Sequence, residues 1–520
     1  MKIKRSLYTT LACCVIMIAG NAVQAQQASL SSVHASAYAP YQPVLRGMNE
    51  NAFIRIAVSI PASVKEVQLE SLLCKMNTGR EAVKQVDVFL TGAEPFSANK
   101  KIGMLADPAA SFALPVDVTL LPGQHFIWIS VLLKDDAIPG QAIELHATVI
   151  QTKTAGLLTV NEIPSAFKKR TGIALCKAGD QGVNTFRIPG IIQTDKGTIV
   201  AVYDNRYTNS KDLPGNIDVG MSRSTDHGKT WQPMKVIMDM GEPQDQNGIG
   251  DPSILYDPAT HTLWVAALWS KGNHSIAGSG PGLSPDETGQ FMLVSSNDDG
   301  LTWTAPYSIT ASIKDPAWKI LFQGPGSGIT MKDGTLVFPA QYWDAKGIPW
   351  STIICSKDHG KTWLPAQTGP KSNTTECQVA EVRPGVLMLN MRDNRGGARS
   401  VATTTDLGKT WTEHATSFTA LPDPVCMGSF IQTNVLVRGQ KRDVLFFSNP
   451  ATSSGRYNIS IKASLDEGNS WKQQNSFLLD ERSVFGYSSL VKVDDQTIAI
   501  LYEGIKDLYF VLIPVSEIIK

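Results

Sequence analysis

An eight-residue pattern that recurs five times constrains the fold of this chain more than any other feature. Each copy has a hydroxyl residue, an Asp two positions later, a Gly two after that, a Thr or Ser two further on, and a final Trp. The Asp carboxylate can accept hydrogen bonds from its own turn and Gly can adopt a positive φ, so each copy predicts a β-hairpin corner. The copies are residues 224–231, 296–303, 356–363, 404–411 and 464–471.

The spacing of these copies predicts the architecture. Successive Asp residues are 72, 60, 48 and 60 positions apart, which suits one four-stranded antiparallel sheet per interval, the unit of a β-propeller. About 350 residues at roughly 60 per unit predict six blades. A turn of this kind satisfies its own polar groups, so we interpret the repeats as structural and not as ligand sites.

The N-terminal part of the chain has a different pattern. It lacks the repeat, but strand-like alternation occurs at residues 53–58, 86–90, 125–133 and 143–150, with Pro-Gly pairs between some of these stretches. We therefore predict an all-β protein with a β-sandwich over residues 26–165 and a six-bladed propeller over residues 166–520. Two roles stay open for the sandwich: a carbohydrate-binding module, or a spacer that packs on the propeller.

The first 25 residues predict export. A basic start, an apolar run over residues 11–19 and a small-residue end at Ala25 are typical of a secretory signal peptide. That run is too short to span a bilayer, and no later run approaches the required length. We expect a periplasmic, cell-surface or secreted protein without a transmembrane segment, and a lipid anchor at Cys13 is the alternative.

Charge and cysteine content limit the function classes. The chain has 47 basic and 47 acidic residues, so nothing favours a nucleic-acid partner. Five widely spaced cysteines follow the signal peptide, and their odd number and spacing indicate buried free thiols rather than a disulfide framework or a zinc site.

A short motif before the first repeat makes the function specific. The sequence Phe186-Arg187-Ile188-Pro189, followed by the repeats, resembles the exo-sialidases (neuraminidases), and residues 170–520 are similar to bacterial secreted members. The resemblance implies a propeller with its site on the central axis. It also implies a retaining exo-α-sialidase that hydrolyses terminal α-linked sialic acids of glycoproteins, glycolipids and oligosaccharides through a tyrosyl-sialoside intermediate.

Sialic acid carries a carboxylate on its anomeric carbon, and planar guanidinium groups suit such an anion. The family uses three arginines for it. The matching positions here are Arg187, Arg392 in the motif Leu-Asn-Met-Arg-Asp, and Arg456 at the end of Asn-Pro-Ala-Thr-Ser-Ser-Gly-Arg.

The same resemblance implies the catalytic residues. A carboxylate nucleophile would be repelled by the substrate's own carboxylate, whereas a neutral phenol would not. Sialidases are known for a Tyr nucleophile, and the match is Tyr487, with Glu376 as the neighbouring base that such a phenol needs. Asp212, in a Pro-Gly-rich loop, matches the general acid, and Asp218 is its competitor.

Four supporting positions follow from the comparison with the family. Glu503 matches the acid that orients Arg187, while Arg206 and Asp251 match positions near the ring hydroxyl and the amide of the sugar. Gln341 stands where animal relatives have an aromatic residue. No spacing of His or acidic residues indicates a metal, and the chemistry needs no cofactor.

Two other functions remain open at this stage. A trans-sialidase would share every catalytic residue, and a non-catalytic propeller could bind sialylated glycans with the same repeats. The combination of Asp212, Glu376 and Tyr487 favours an enzyme, because a binding protein has no need of all three.

Overall fold

The computed structural model describes residues 32–94, 100–153, 156–272 and 274–520. The predicted signal peptide and Cys13 lie outside these residues. The chain forms two compact units that divide between Thr171 and Gly172. Within the described ranges, no helix is long and apolar enough to cross a membrane.

The first unit is built from strands. They are β1 (His34–Tyr38), β2 (Val44–Arg46), β3 (Ala52–Ile60), β4 (Val67–Thr78), β5 (Val83–Thr91), β6 (Lys100–Ala106), β7 (Ser111–Leu120), β8 (Gly123–Leu133), β9 (Ala142–Thr152), β10 (Gly156–Glu162) and the start of β11 (Lys168–Cys176), with a 3₁₀ turn at Arg80–Ala82.

Two sheets of this unit enclose one core. The strand order is β1-β3-β8-β5-β6 in one sheet and β7-β4-β9-β10 in the other, and β10 also pairs in parallel with β1. Alternate residues of β3, β8 and β9, among them Ile54, Ile56, Ile127, Ile129 and Leu145, are fully buried in a single apolar cluster. The predicted β-sandwich and its alternating strands are confirmed.

The second unit contains the remaining strands. They are β12 (Thr185–Gln193), β13 (Ile199–Arg206), β14 (Ile217–Ser224), β15 (Lys235–Met238), β16 (Ile249–Asp257), β17 (Thr262–Trp269), β18 (Gln290–Ser296), β19 (Tyr307–Ser308), β20 (Ile320–Gln323), β21 (Gly326–Ser327), β22 (Ile329–Thr330), β23 (Leu336–Trp343), β24 (Pro349–Ser356), β25 (Thr374–Arg383), β26 (Val386–Asp393), β27 (Gly397–Ala398), β28 (Ser400–Thr404), β29 (Thr412–Glu413), β30 (Pro422–Asp423), β31 (Ser429–Val437), β32 (Gln440–Pro450), β33 (Ile459–Ser464), β34 (Ser476–Asp480), β35 (Ser488–Asp494), β36 (Thr497–Glu503) and β37 (Leu508–Pro514). Single helical turns occur at Asp180–Gly182, Gln244–Gln246, Ile276–Gly278, Gln473–Asn475, α1 (Thr310–Ile313) and α2 (Val515–Ile518).

These strands form a β-propeller. Five blades are separate sheets, which begin at β12, β16, β20, β25 and β31. A sixth antiparallel set consists of β35, β36, β37 and residues 172–176 of β11, so the last blade is completed by the first residues of the unit. The first strands lie nearest the axis, where β12 packs against β16 and β35. The predicted propeller is confirmed, with five blades as sheets of their own and the sixth assembled from both ends of the unit.

The five repeats form hairpin corners, as predicted, and each corner follows the third strand of its blade. In the third copy, Ser356 Oγ donates to Asp358 Oδ1 (2.9 Å) and accepts from the Gly360 N–H (2.9 Å). Thr362 donates to the same Asp through its N–H (2.9 Å) and its hydroxyl (2.6 Å). The other four copies make the same four hydrogen bonds. Every Asp is therefore used within its own turn.

Each corner also contacts the preceding blade. The φ of Gly360 is +82°, and a Cβ there would lie 2.3 Å from the ring of Trp264 in the blade before it, so only Gly fits. The residue before this Gly, His359, contacts Asp257 of that blade through Nδ1 (2.9 Å). Two other copies make the same kind of contact, Asp299 with Thr194 and Thr198, and Glu467 with Arg383.

We predict that these corners weaken in acid. Hydrogen bonds from the Thr of each turn lower the pKa of Asp298, Asp358 and Asp406 from 3.8 to about 2. The unfolded chain takes up these protons at a higher pH than the native protein does, so the stabilisation is complete above about pH 4 and is lost as the pH falls towards about 2.

The test compares the Tm of the wild type with that of Asp358→Asn between pH 7 and pH 2.5. The wild type should melt higher at pH 7, and the difference should shrink below pH 4. Asp135→Asn, at an exposed carboxylate outside the corners, is the control and should show no such trend. A difference between wild type and Asp358→Asn that stays constant down to pH 2.5 would contradict the prediction.

Candidate active site

The predicted site residues lie at one end of the propeller. Arg187, Asp251 and Glu376 are each the third residue of the first strand of a blade, and Tyr487 directly precedes another first strand. Arg206, Gln341, Arg392 and Glu503 lie at or near the ends of second strands, and Asp212 and Arg456 follow second strands in loops. In an antiparallel blade the start of the first strand and the end of the second share an edge. The repeated corners, after third strands, lie at the opposite end.

Glu503 is the buried centre of one half of the site. Its side chain is fully buried, and its carboxylate accepts from Arg187 Nε (3.0 Å) and from the backbone N–H groups of Ile188 and Tyr487 (2.9 Å each). Burial lowers the pKa of Arg187, but the charge of Glu503, together with smaller contributions from Tyr487 and Asp212, outweighs this effect and holds the pKa above its ordinary value. Glu503 therefore fixes a permanently charged guanidinium and the backbone on both sides of the site.

Tyr487 is hydrogen-bonded to both Glu376 and Arg392. Its hydroxyl donates to Glu376 Oε1 and accepts from Arg392 Nη1 (2.9 Å), and Arg392 Nη1 also donates to Glu376 Oε2 (2.5 Å). The side chain is 5% exposed. Burial and then the charge of Glu376 raise the pKa of Tyr487 well above its ordinary value, against the opposing effect of Arg392. The site thus holds a neutral phenol whose hydroxyl donates to a carboxylate.

Arg456 is held differently from the other two arginines. It donates to the carbonyl oxygens of Phe485 and Val425 (3.0 Å each), and among the described residues no carboxylate forms an ion pair with it. Its guanidinium lies 5.7 Å from the centre of the Tyr487 ring, and that of Arg187 lies 5.2 Å away. The positive charges therefore converge around the tyrosine, and that of Arg456 is available to an incoming anion.

A buried network supports the carbonyl of Val425. This β-branched residue has a φ of +60°, a conformation that is strained for it. On its C-terminal side, the Cys426 N–H donates to Asp423 (3.0 Å) and the Cys426 carbonyl accepts from Arg399 (2.6 Å), whose side chain is fully buried. The strained turn is thus held by a buried ion pair and aims its carbonyl at Arg456.

Asp212 lies beside two arginines. Its Oδ1 accepts from Arg206 Nη1 at 2.8 Å and lies 3.4 Å from Arg187 Nη1, while 66% of its side chain is exposed. Burial of the remainder raises the pKa of Asp212, but the charges of Arg206 and Arg187 outweigh it, so the net pKa lies below its ordinary value. Without a ligand this carboxyl is therefore ionised.

Asp218, the competing candidate, takes part in a strand. It is the second residue of β14 and pairs with Asn205 of the same blade. Burial and the charge of Asp239 raise its pKa to about 7. No hydrogen bond within the described residues connects it to Tyr487 or to the three arginines, whereas Asp212 lies against Arg187.

The two remaining candidates line the same end. Asp251 has a φ of +57°, and its N–H donates to Asp204 (2.8 Å). Burial, and then the charges of Asp204 and Asp212, raise the pKa of Asp251 well above its ordinary value. Gln341 is 3% exposed in β23, and among the described residues no hydrogen bond joins it to the other candidates.

Two residues of the site were missed by sequence reasoning. The ring of Phe485 lies 4.6 Å below the guanidinium carbon of Arg187, and the buried Asp204 accepts from Arg206 Nη2 (2.8 Å). Sequence spacing could have indicated both residues. Phe485 is two residues before Tyr487, and Asp204 is two residues before Arg206, so that both side chains of the latter pair lie on the same face of β13.

The arrangement suits an anionic ligand. Glu503 neutralises Arg187 and Glu376 shares its charge between Arg392 and the phenol, which leaves Arg456 to meet a ligand carboxylate beside a nucleophile and its base. Among the described residues, no group of three or more His, Cys, Asp or Glu side chains is placed to hold a metal ion.

Comparisons with known proteins agree on one family. Residues 188–503 match the family model of the BNR repeat-like domain. A sialidase of Bacteroides fragilis is 46% identical over 442 residues, which cover 82% of this chain and 80% of that protein. A sialidase of Micromonospora viridifaciens is 32% identical over 62% of this chain and 50% of its own length. The solved structure of a Hadza microbial sialidase has a TM-score of 0.86 at 39% identity and covers 93% of this chain and 100% of that chain.

We predict that Glu503→Gln destabilises the protein. The amide of Gln would place an NH₂ group against the N–H donors that Glu503 now accepts from, and it would leave Arg187 buried without a counter-charge. Breaking a buried ion pair in this way costs about 3–5 kcal/mol. The free energy of unfolding, followed by tryptophan fluorescence in urea, should fall by that amount relative to wild type. Glu66→Gln, at an exposed position, makes the same change in net charge and is the control. A loss no larger than that of the control would contradict the assigned role.

Proposed function

Because the chain belongs to the sialidase family, we propose that it is a retaining exo-α-sialidase that releases terminal α-linked sialic acids from glycoconjugates through a tyrosyl-sialoside intermediate. The observation that carries the proposal is the hydroxyl of Tyr487, hydrogen-bonded to Glu376 and surrounded by three guanidinium groups.

The three arginines bind the carboxylate of the substrate. Arg187 and Arg392 are held by carboxylates and Arg456 by carbonyls, so their guanidinium groups are oriented before the ligand arrives, and less entropy is lost on binding. This anchoring places the anomeric carbon, to which the carboxylate is attached, beside the phenol.

Tyr487 attacks the anomeric carbon. Its proton passes to Glu376 along the existing hydrogen bond while a bond forms between the phenol oxygen and the anomeric carbon, and the bond to the leaving oxygen breaks. The neighbouring guanidinium charges stabilise the developing phenolate, and a neutral nucleophile avoids the repulsion that a carboxylate would meet.

Asp212 supplies the proton to the leaving oxygen. In the free site its pKa is lowered, chiefly by the charges of Arg206 and Arg187. A bound substrate carboxylate offsets the charge of Arg187 and covers the exposed carboxyl, and both effects raise the pKa of Asp212 towards that of a working acid. In the second step Asp212 takes a proton from the attacking water, the bond to Tyr487 breaks, and Glu376 returns the proton to the phenol.

We predict that Tyr487→Phe lowers kcat/KM for 4-methylumbelliferyl α-sialoside by about three orders of magnitude or more, because the nucleophile is lost. Tyr502→Phe is the control. It removes another buried hydroxyl of the same blade, one that donates to Asp480 (2.8 Å), and should change kcat/KM by less than about threefold if it folds equally well.

Two measurements on the wild type test the mechanism. Proton NMR should detect the α-anomer of sialic acid first, and 2,3-difluorosialic acid should add its glycosyl group to the peptide that contains Tyr487. Initial release of the β-anomer, or labelling at another residue, would contradict the proposal. An inert wild-type protein that still binds sialosides would instead indicate a glycan-binding propeller.

A further inference from the structure

The loop that carries Asp212 is held by residues on both sides of this acid. Residues 207–216 connect β13 to β14. On the N-terminal side, Arg206 Nη1 donates to the Ser210 carbonyl (2.8 Å) as well as to Asp212. On the C-terminal side the next residue is Leu213, which is 7% exposed, in contrast to the 66% of the Asp212 side chain.

Leu213 is part of an apolar cluster that belongs to three blades. The cluster consists of Leu213 and Ile217 of the first blade, Leu268 of the second, and Ile320 and Phe322 of the third, all buried. Trp343 and Ile276 pack against it. A surface loop normally has few such contacts, whereas this one has its anchor directly beside the predicted proton donor.

A second contact fixes the loop backbone. A Cβ added at Gly248, just before β16, would lie 2.6 Å from Leu213 Cδ2 and 2.2 Å from the Gly215 carbonyl oxygen. The loop therefore lies directly on the second blade. Its position depends on the side chain of Leu213 and on Gly248, where any side chain would collide with the loop.

We propose that Leu213 is a positioning residue that holds the carboxyl group of Asp212 within reach of the leaving oxygen. The inference rests on the proposed function, in which Asp212 is the general acid. Leu213 contacts no reacting atom. Because it is adjacent in the chain to Asp212, movement of the leucine out of its cluster carries the carboxyl away from the bond that breaks, and a displacement of about 1 Å can cost 10²-fold in rate.

The leaving group separates this role from a merely structural one. An alkoxide leaves poorly without a proton, so sialyl-lactose needs the acid, whereas 4-methylumbelliferone leaves readily as its anion. General acid catalysis contributes about 10²–10⁴-fold where it is needed. Loss of Asp212 positioning should therefore affect sialyl-lactose selectively, and a general loss of folded protein should affect both substrates equally.

The experiment measures kcat/KM of Leu213→Ala for 4-methylumbelliferyl α-sialoside and for whichever of 3′- and 6′-sialyl-lactose the wild type cleaves faster. We expect a fall of about 10²-fold for the lactoside and of less than about threefold for the aryl sialoside. The basic limb of the pH profile of kcat for the lactoside, which reports the acid in the bound complex, should flatten. Leu479→Ala, at another buried leucine in β34, should leave the ratio between the two substrates unchanged.

Two further variants keep the test informative if Leu213→Ala does not fold. Leu213→Met conserves the volume of the side chain and should restore the wild-type ratio between the two substrates. Gly248→Ala displaces the loop without removing a contact and should selectively lower kcat/KM for the lactoside. Equal losses on both substrates, or an unchanged lactoside rate in Gly248→Ala and Leu213→Ala, would overturn the proposal. A wild type that cleaves neither substrate contradicts the proposed function itself, whatever the variants do.

Discussion

The hydrogen bonds of the Glu503 carboxylate connect the first and last blades at the point where the site is built. Arg187 and Ile188 belong to the first blade, and Glu503 and Tyr487 to the last. Ile188 has a φ of +57°, which is strained for a β-branched side chain. A buried carboxylate with this many donors is strongly held, so it can maintain the strained backbone that directs Arg187 towards the axis. Closure of the ring and construction of the site thus depend on the same carboxylate.

The charges of the site are arranged unequally for a chemical reason. Glu503 pairs with Arg187, and Glu376 is shared between Arg392 and Tyr487. Within the described residues, the hydrogen bonds of Arg456 go to carbonyl oxygens. If every arginine had its own carboxylate, no uncompensated positive charge would remain to attract an anion. Because carbonyl dipoles orient Arg456, its guanidinium is held in place and keeps its full positive charge. One of these carbonyls belongs to the strained Val425, whose conformation the buried pair of Arg399 and Asp423 stabilises.

The sequence predicted the repeated features of the molecule better than its unique ones. The corners are local, since the hydroxyl residue, Asp, Gly and Thr or Ser of each turn lie within eight residues. The intervals between successive corners therefore predicted the blades. Tyr487 and Arg187 could be assigned only through motifs that resemble a known family, and their roles stay predictions. The contacts that position them are not local: Arg187 and Glu503 are 316 residues apart. The anchoring of Leu213 was not predictable, because an apolar residue in a polar loop has no periodicity from which its burial could be inferred.

The corner contacts have a consequence for the exchange of one blade for another. All five turns share the same internal hydrogen bonds, but in three of them the residue before the Gly contacts the preceding blade through a different set of groups. These are His359 against Asp257, Asp299 against two threonines, and Glu467 against Arg383. At three of the seams between neighbouring blades, the corner and the preceding blade therefore have their own complementary groups. At these three seams the blades are not interchangeable, because a corner moved to another seam would lose its partner on the preceding blade.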